Sequence, residues 1–245
     1  MLQLLHLPLF IPTFIAVLIR PLRFFRDYHQ LVISRDTSFW DINAERDDDP
    51  YLSPVKFSAL AILLSNLIFP LILQLGVMVG AVTPHYAAFA EWAEKEGHLD
   101  PFSPTGIGIA DDLIREVIVL AMFYALGHLI ALFSAKRIPA RFAAGYYFYW
   151  SAWGLLGSLV SFGLILISLI VPLYQTGLPL ILDSLINIAS LLMFFLFPIF
   201  FWPRFIEISR PRCAVALAGG LIVWIALIAV LAPMIVDIPD FGMSH

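Results

Sequence analysis

The sequence is poor in cysteine and in charge. Cys213 is the only cysteine among 245 residues, so an internal disulfide or a zinc cage built from several cysteines is excluded. Charged residues make up 13% of the chain and hydrophobic residues 61%, whereas soluble domains carry about 25% charged residues. This composition predicts an integral membrane protein.

The signature motifs of common enzymes are also missing. The sequence contains no Gly-rich phosphate loop, no His-Glu-x-x-His and no Gly-x-Ser-x-Gly. We therefore expect no catalytic residues, no bound metal, no cofactor and no enzymatic activity. The net charge of −4 is spread over the loops, so a nucleic-acid partner is not expected either.

Five apolar runs are long enough to cross a bilayer, since a spanning helix needs ~20 apolar residues. The runs cover residues 57–82, 112–135, 142–173, 177–202 and 213–236. No stretch between them is long enough for a separate soluble domain. The sequence therefore predicts an all-α fold, in which an N-terminal region, 1–56, precedes a polytopic transmembrane helical bundle of five spans, 57–245.

Basic residues are concentrated in alternate gaps between the runs. Of the 14 Lys and Arg residues, six lie in 20–56, three in 136–141 and three in 203–212, which leaves Lys95 and Arg115 outside these gaps. Basic residues stay on the cytoplasmic side of a bilayer. The pattern predicts a cytoplasmic N-terminal region and an external C-terminus in a bacterial cytoplasmic (inner) membrane, with a eukaryotic secretory-pathway membrane as the alternative.

The N-terminal region is apolar at first and amphipathic afterwards. Residues 1–19 are interrupted by Pro8 and Pro12, and they form either a short sixth span or a re-entrant or interfacial segment. We favour the second interpretation because polar residues recur at helical spacing from Arg20 to Ser34. That spacing predicts a basic helix lying among the lipid headgroups, with its rings in the acyl boundary. The acidic stretch from Asp41 to Pro54 predicts a solvated loop.

Polar side chains within the runs are the candidate functional residues, because they are costly to place in a bilayer. Arg115 and Glu116 lie near the outer end of the second run, and Asp183 and Asn187 lie at a similar depth in the fourth. An Arg115–Asp183 pair would lock two helices together, or all of these side chains extend to the outer membrane surface. The functional alternative is an outward-facing polar pocket for an ion or a headgroup. His128 has no His or Glu at ligand spacing, and we interpret it as structural, with a metal, a pigment or a proton relay as alternatives.

Aromatic, basic and small residues mark two kinds of predicted surface. Tyr, Trp and basic side chains collect where a helix leaves the membrane. We expect the following side chains to anchor the protein at its inner face: Arg23, Arg26, Trp150, Trp153 and Trp202. Small residues let helices approach closely, within the chain or against a partner. Such residues occur on the third run (Ser151, Gly154, Ser158) and on the fifth (Ala214, Ala218, Gly219, Gly220).

Two short segments before the first run carry a family resemblance. Arg20-Pro21-Leu22-Arg23-Phe24-Phe25-Arg26-Asp27 comes first, and Tyr51-Leu52-Ser53-Pro54-Val55-Lys56-Phe57 leads into the run. With five closely spaced runs, this layout resembles the Yip-domain family, the Ypt-interacting-protein-like five-helix membrane proteins. The resemblance implies a five-helix membrane fold without catalytic residues. Eukaryotic members of that family act in membrane trafficking and membrane shaping.

The expected function is therefore contact rather than chemistry. We expect a non-enzymatic integral membrane protein that serves as an accessory or scaffold subunit of a larger assembly. Its partners would be the lipid bilayer and other membrane protein subunits. The alternative is a small transporter or lipid-binding permease that uses the outward-facing polar pocket.

Overall fold

The computed structural model describes residues 7–34, 50–65, 107–168 and 178–236, apart from the side chains at 7, 107–116, 161, 162, 165, 166, 168, 179, 180, 183 and 231–236. These residues form helices and no strand, which confirms the all-α prediction for this part of the chain. The helices are α1 (Phe10–Ile19), α2 (Pro21–Ser34), α3 (Pro54–Leu63), α4 (Ile107–Phe133), α5 (Ala140–Ser168), α6 (Leu178–Leu191), α7 (Phe197–Phe201) and α8 (Arg210–Val236). A 3₁₀ turn (Leu7–Leu9) precedes α1, a π-helical turn (Leu192–Leu196) joins α6 to α7, and a 3₁₀ turn (Trp202–Arg204) follows α7.

Proline marks the start of several helices. Pro21 opens α2, Pro54 opens α3, and Pro211 lies in the first turn of α8. Proline suits the first turn because its missing N–H has no partner there and its fixed φ is already helical. Pro21 also ends α1, whose last turn is closed by the Arg20 N–H donating to the carbonyl of Ala16 at 3.1 Å.

α5 lies at the centre of the bundle, in contact with α3, α4 and α6. Its neighbour α4 runs antiparallel to it, since Gly127 lies against Ala144 while Phe123 packs on Trp150 further along α5. α8 packs on another side of α4, also antiparallel. There Gly220 meets Ile130, and the indole N–H of Trp224 donates to the carbonyl of Met122 at 2.8 Å.

A tight turn connects α4 to α5. The Ser134 hydroxyl donates to the Ala131 carbonyl at 2.9 Å and accepts the Ile138 N–H at 3.1 Å. Ala135 and Lys136 adopt φ values of 53° and 62°, in the left-handed region that non-glycine residues seldom occupy. One hydroxyl thus closes a very short connection between two long helices.

The loops richest in basic residues meet at one end of the bundle. The ring of Phe142, at the start of α5, contacts Trp202 and Phe205, which follow α7. This brings the α4–α5 turn and the α7–α8 connection together. Their basic side chains are exposed there: Lys136, Arg137, Arg204, Arg210 and Arg212. We call this end of the molecule the basic end.

Two helical stretches are long and apolar enough to cross a membrane, judged by length and composition. They are Ser184–Arg204, with a mean hydropathy of 2.2, and Arg210–Val230, with 2.6. Shorter apolar helices occur at Phe10–Ile19, Pro54–Leu63 and Val117–Phe133. Much of the first predicted span, residues 66–82, lies outside the described part of the chain.

Candidate functional site

The rings of α2 are buried in the protein. Phe24 packs edge-on against Tyr149 of α5, with 4.7 Å between the ring centroids, and Phe25 lies 4.5 Å from Tyr146. Phe24, Phe25 and Tyr28 are each at most 2% exposed. The sequence predicted that these rings face the acyl boundary, and the structure corrects this. The apolar face of α2 matches a row of rings on α5, so it packs on the bundle.

Tyr28 and His29 complete this contact. The Tyr28 hydroxyl donates to the carbonyl of Arg141 at 3.3 Å, and burial raises the pKa of its phenol. The imidazole of His29 lies edge-on to Phe142, with centroids 5.1 Å apart, and tilted against Phe205 at 5.5 Å. Burial lowers the pKa of His29, because an apolar environment disfavours the charged imidazole.

The two segments that carried the family resemblance contact one another. Tyr51 packs against Phe24 with 4.6 Å between ring centroids. The backbone of Leu52 is held on both sides: its N–H donates to the Thr13 hydroxyl at 2.9 Å, and its carbonyl accepts from the Tyr149 hydroxyl at 2.6 Å. The step into α3 is therefore tied to α1, α2 and α5 together.

The π-helical turn between α6 and α7 receives donors from α5. A π turn leaves backbone carbonyls without their usual helical partners, and such groups need other donors in apolar surroundings. The Tyr146 hydroxyl donates to the carbonyl of Met193. One turn further along α5, the indole N–H of Trp150 donates to the carbonyl of Ser190 at 3.1 Å. Trp150 thus has a structural partner inside the bundle.

The other predicted anchors occupy different environments. Trp202 is fully buried against Phe142 and Tyr146, and its indole nitrogen has no hydrogen-bond partner among the described residues. This placement suits a packing residue and not a side chain that anchors the protein at an interface. Arg23 and Arg26 are exposed on α2, and each lies within 4 Å of an Asp27 carboxylate oxygen, at 3.8 and 3.6 Å.

A groove opens beside the second half of α5. It has a volume of about 460 Å³ and is walled by α4, α5, α6 and the stretch from α3 to Ser65. We call it the serine groove, after four residues that line it: Ser65, Ser151, Ser158 and Ser190. Phe123, Trp150, Trp153, Gly154 and Asn187 also line it.

Three hydroxyls in this groove lack partners. Ser65, Ser158 and Ser190 make no side-chain hydrogen bond to any described residue, although Ser190 is only 9% exposed. Ser151 differs, since its hydroxyl donates to the Phe148 carbonyl at 2.7 Å and lies 3.2 Å from the Ser58 hydroxyl. None of these three hydroxyl oxygens is among the fully buried, unpartnered side-chain atoms, so a molecule in the groove can reach them. The groove therefore has unused capacity to bind a polar group.

Of the predicted polar cluster, Asn187 is placed in the serine groove. Arg115, Glu116 and Asp183 lie on α4 and α6, but their side chains are outside the described set. His128 is elsewhere: it is exposed on α4, its Nδ1 lies 3.0 Å from the Tyr124 carbonyl, and the two rings are 4.3 Å apart. The structure thus does not bring His128 and Asn187 into one site. Within the described ranges, no three His, Cys, Asp or Glu side chains are grouped to hold a metal.

The two small-residue faces differ in whether other residues of the chain pack against their glycines. A Cβ added at Gly219 would lie 2.7 Å from the ring of Phe133, and one at Gly220 would lie 2.8 Å from Ile130, so this face is filled from within the chain. A Cβ at Gly154 would meet nothing within 4 Å. Sequence reasoning found both faces but had no means to tell which one is filled.

No family model, curated protein or solved structure matches this chain. The resemblance to the Yip-domain family accordingly remains a prediction drawn from the two short segments and the spacing of the runs.

Proposed function

We propose that this protein is a five-span integral membrane protein of a bacterial cytoplasmic membrane. It acts without catalysis, as an accessory or scaffold subunit of a membrane assembly. Its N-terminal region and basic end face the cytoplasm, and its C-terminus faces outward. We also propose that it belongs with the Yip-domain proteins, because the two segments of the resemblance form one packed junction with α5.

The observation that carries the membrane assignment is the outward direction of apolar side chains. Only 17% and 22% of the apolar windows in Ser184–Arg204 and Arg210–Val230 are buried. The core helix of a soluble protein would be mostly buried, whereas a lipid-facing helix exposes its apolar surface. Ile181, Leu185, Ile222 and Val230 are each more than half exposed.

The basic end supports the orientation. Two loops that are distant in sequence bring exposed arginines and lysines together, and α2 contacts the same end through His29. A cytoplasmic leaflet is anionic and attracts such groups, by about 1 kcal/mol for each Lys or Arg near its surface. α1 contains ten residues and so extends about 15 Å, half the thickness of the hydrocarbon layer. This length favours the re-entrant or interfacial interpretation over a sixth span.

The docked N-terminal segment supports a scaffold role. Its buried face is fixed by α5, so its exposed face presents Arg23 and Arg26 in a constant position relative to the bundle. A rigid charged edge next to a membrane surface suits recognition of an acidic partner subunit as well as of lipid.

The test is native mass measurement of the full chain after mild solubilisation, with a tag at each end to report its compartment. We expect a stoichiometric protein partner that is lost when Arg23 and Arg26 are both replaced by Ala. Replacement of Lys136 and Arg137 by Ala, which removes two exposed charges at the basic end, is the matched control and should retain the partner. A strictly monomeric species, or a C-terminus in the cytosol, would contradict the proposal.

The serine groove favours a second candidate function, that of a small transporter or lipid-binding permease. Cysteines placed at Asn187 and Ser190 in a Cys213→Ala background should react with a small hydrophilic thiol reagent if the groove holds water. Ala152 is fully buried on α5 and provides the unreactive control position. Equal resistance at all of these positions would remove this candidate.

A further inference from the structure

We propose that the serine groove binds a neutral amphiphile, a molecule with a hydrocarbon chain and an uncharged head that carries a hydroxyl or carbonyl group. This inference deepens the second candidate function and rests on it. It specifies the class of ligand, which the sequence had left between an ion and a headgroup.

Three serine hydroxyls converge on the groove. Ser65, Ser158 and Ser190 come from three different segments of the chain, yet they line one cavity and none of them has a partner among the described residues. A helical serine normally satisfies its hydroxyl on a carbonyl of the preceding turn. A hydroxyl can donate or accept, so several together can serve a ligand hydroxyl or carbonyl.

A second argument is the charge of the lining. Among the described residues that line the groove there is no Lys, Arg, His, Asp or Glu side chain. Ser158 lies near the middle of the run 142–173, far from the basic end. A phosphate or ammonium head at this depth would be an uncompensated charge in apolar surroundings. The described lining therefore favours a neutral ligand head.

The shape and size of the groove suit a flexible chain. Gly154 leaves open space on the wall of the groove, and beside Gly157 the nearest atom to an added Cβ is the Ile186 side chain at 3.9 Å. The volume of about 460 Å³ lies within the range of small-molecule sites, about 300–1,000 Å³. A helix of about 10 Å diameter would fill this volume with roughly one turn. A flexible chain fits the groove, whereas a partner helix would remain largely outside it.

The experiment is photolabelling of the full chain in lipid nanodiscs. The probes are diazirine-bearing alkyl chains of equal length that end in a hydroxyl, a methyl ketone, a phosphate or a methyl group. Labelled peptides are mapped by mass spectrometry. We expect the hydroxyl or ketone probe to label α5 and α6 peptides that line the groove, about fivefold more than the methyl-ended probe, as for one net hydrogen bond.

Two variants test the location. Gly154→Phe should fill the groove and abolish this labelling, while Gly163→Phe is the matched control, because a Cβ at Gly163 also meets open space and Gly163 does not line the groove. Ser190→Ala should reduce the preference for the hydroxyl probe, and Ser184→Ala, at an exposed position on the same helix, should not.

Several outcomes would overturn the inference. These are equal labelling by the methyl-ended probe, stronger labelling by the phosphate probe, and equal loss in the Gly163→Phe control. The reagent test at Asn187 and Ser190 is read separately. A groove that admits water but shows no preference for a neutral head contradicts the inference alone, whereas an inaccessible groove contradicts the second candidate function.

Discussion

The two halves of α5 differ sharply in burial and in the size of their side chains. Every residue from Phe142 to Tyr149 is buried, including Gly145, whereas of residues 150–160 only Ala152 and Leu155 are. The first half carries rings that pack against α2, α7 and the loop after α7, and the second half carries glycine and serine that leave a groove. Large rings need particular neighbours, while small residues leave room that something else has to fill.

The largest expected effect comes from removing a ring in the packed half. Phe142→Ala leaves a cavity among Tyr28, His29, Trp202 and Phe205, because these rings are fixed on separate elements. We expect a loss of about 3–5 kcal/mol, which lowers the midpoint of thermal unfolding in detergent by roughly 10 °C.

Phe200→Ala is the matched control for this measurement. Phe200 is 47% exposed, so its truncation should change stability by no more than about 0.5 kcal/mol. Similar losses in the two variants would mean that the ring cluster is not the stable part of the molecule, and the contrast between the two halves would fail.

The second-largest effect is expected from adding a methyl group to the packed half of α5. A Cβ at Gly145 would lie 2.6 Å from the ring carbon that bears the hydroxyl of Tyr28. That ring is 2% exposed and cannot move freely. We expect Gly145→Ala to cost about 1–3 kcal/mol and to loosen α2 from the bundle. Limited proteolysis after α2, compared with the wild-type chain, measures the second effect; unchanged cleavage together with unchanged stability would contradict the packing.

Composition and the apolar runs were sufficient to predict helices, because both can be read from neighbouring residues in the sequence. The all-α prediction holds for the described residues. The grouping of basic residues predicted that the loops at 136–141 and 203–212 lie on one side, and the structure brings these two loops together. These features depend on a residue and its near neighbours along the chain.

Placement of aromatic side chains could not be predicted in the same way. Phe24 and Phe25 have the pattern of a lipid-facing surface, and only the ring row on α5 gives them a protein partner. The same limit applies to Trp150, whose acceptor is a carbonyl next to a π-helical turn that the sequence did not predict. Side-chain partners on distant helices are a tertiary property, and one sequence does not encode them locally.

The next largest expected effect is a change in the stability of the packed half with pH. Burial lowers the pKa of His29, so the neutral imidazole is favoured in the folded chain. The stability that the neutral imidazole of His29 contributes is complete above the pKa of about 6.5 that it has in the unfolded chain. This stability is lost as the pH falls from there through the lower pKa of His29 in the folded chain. We expect thermal stability to fall across this window and the fall to be smaller in His29→Phe, which cannot be protonated. An identical pH profile in the variant would show that His29 is protonated without cost.

The smallest expected effect, of opposite sign, lies in the open half of α5. A Cβ at Gly154 meets nothing within 4 Å, so Gly154→Ala gains helix propensity without a clash. We expect a stabilisation of about 0.5–1 kcal/mol, read as a higher midpoint of thermal unfolding. Gly163→Ala, which also faces open space, should behave alike in detergent. If Gly154→Ala loses stability and Gly163→Ala does not, and if this happens only when a neutral amphiphile is present, then the amphiphile occupies the groove in the membrane. If Gly154→Ala loses stability without the amphiphile, then the groove is closed.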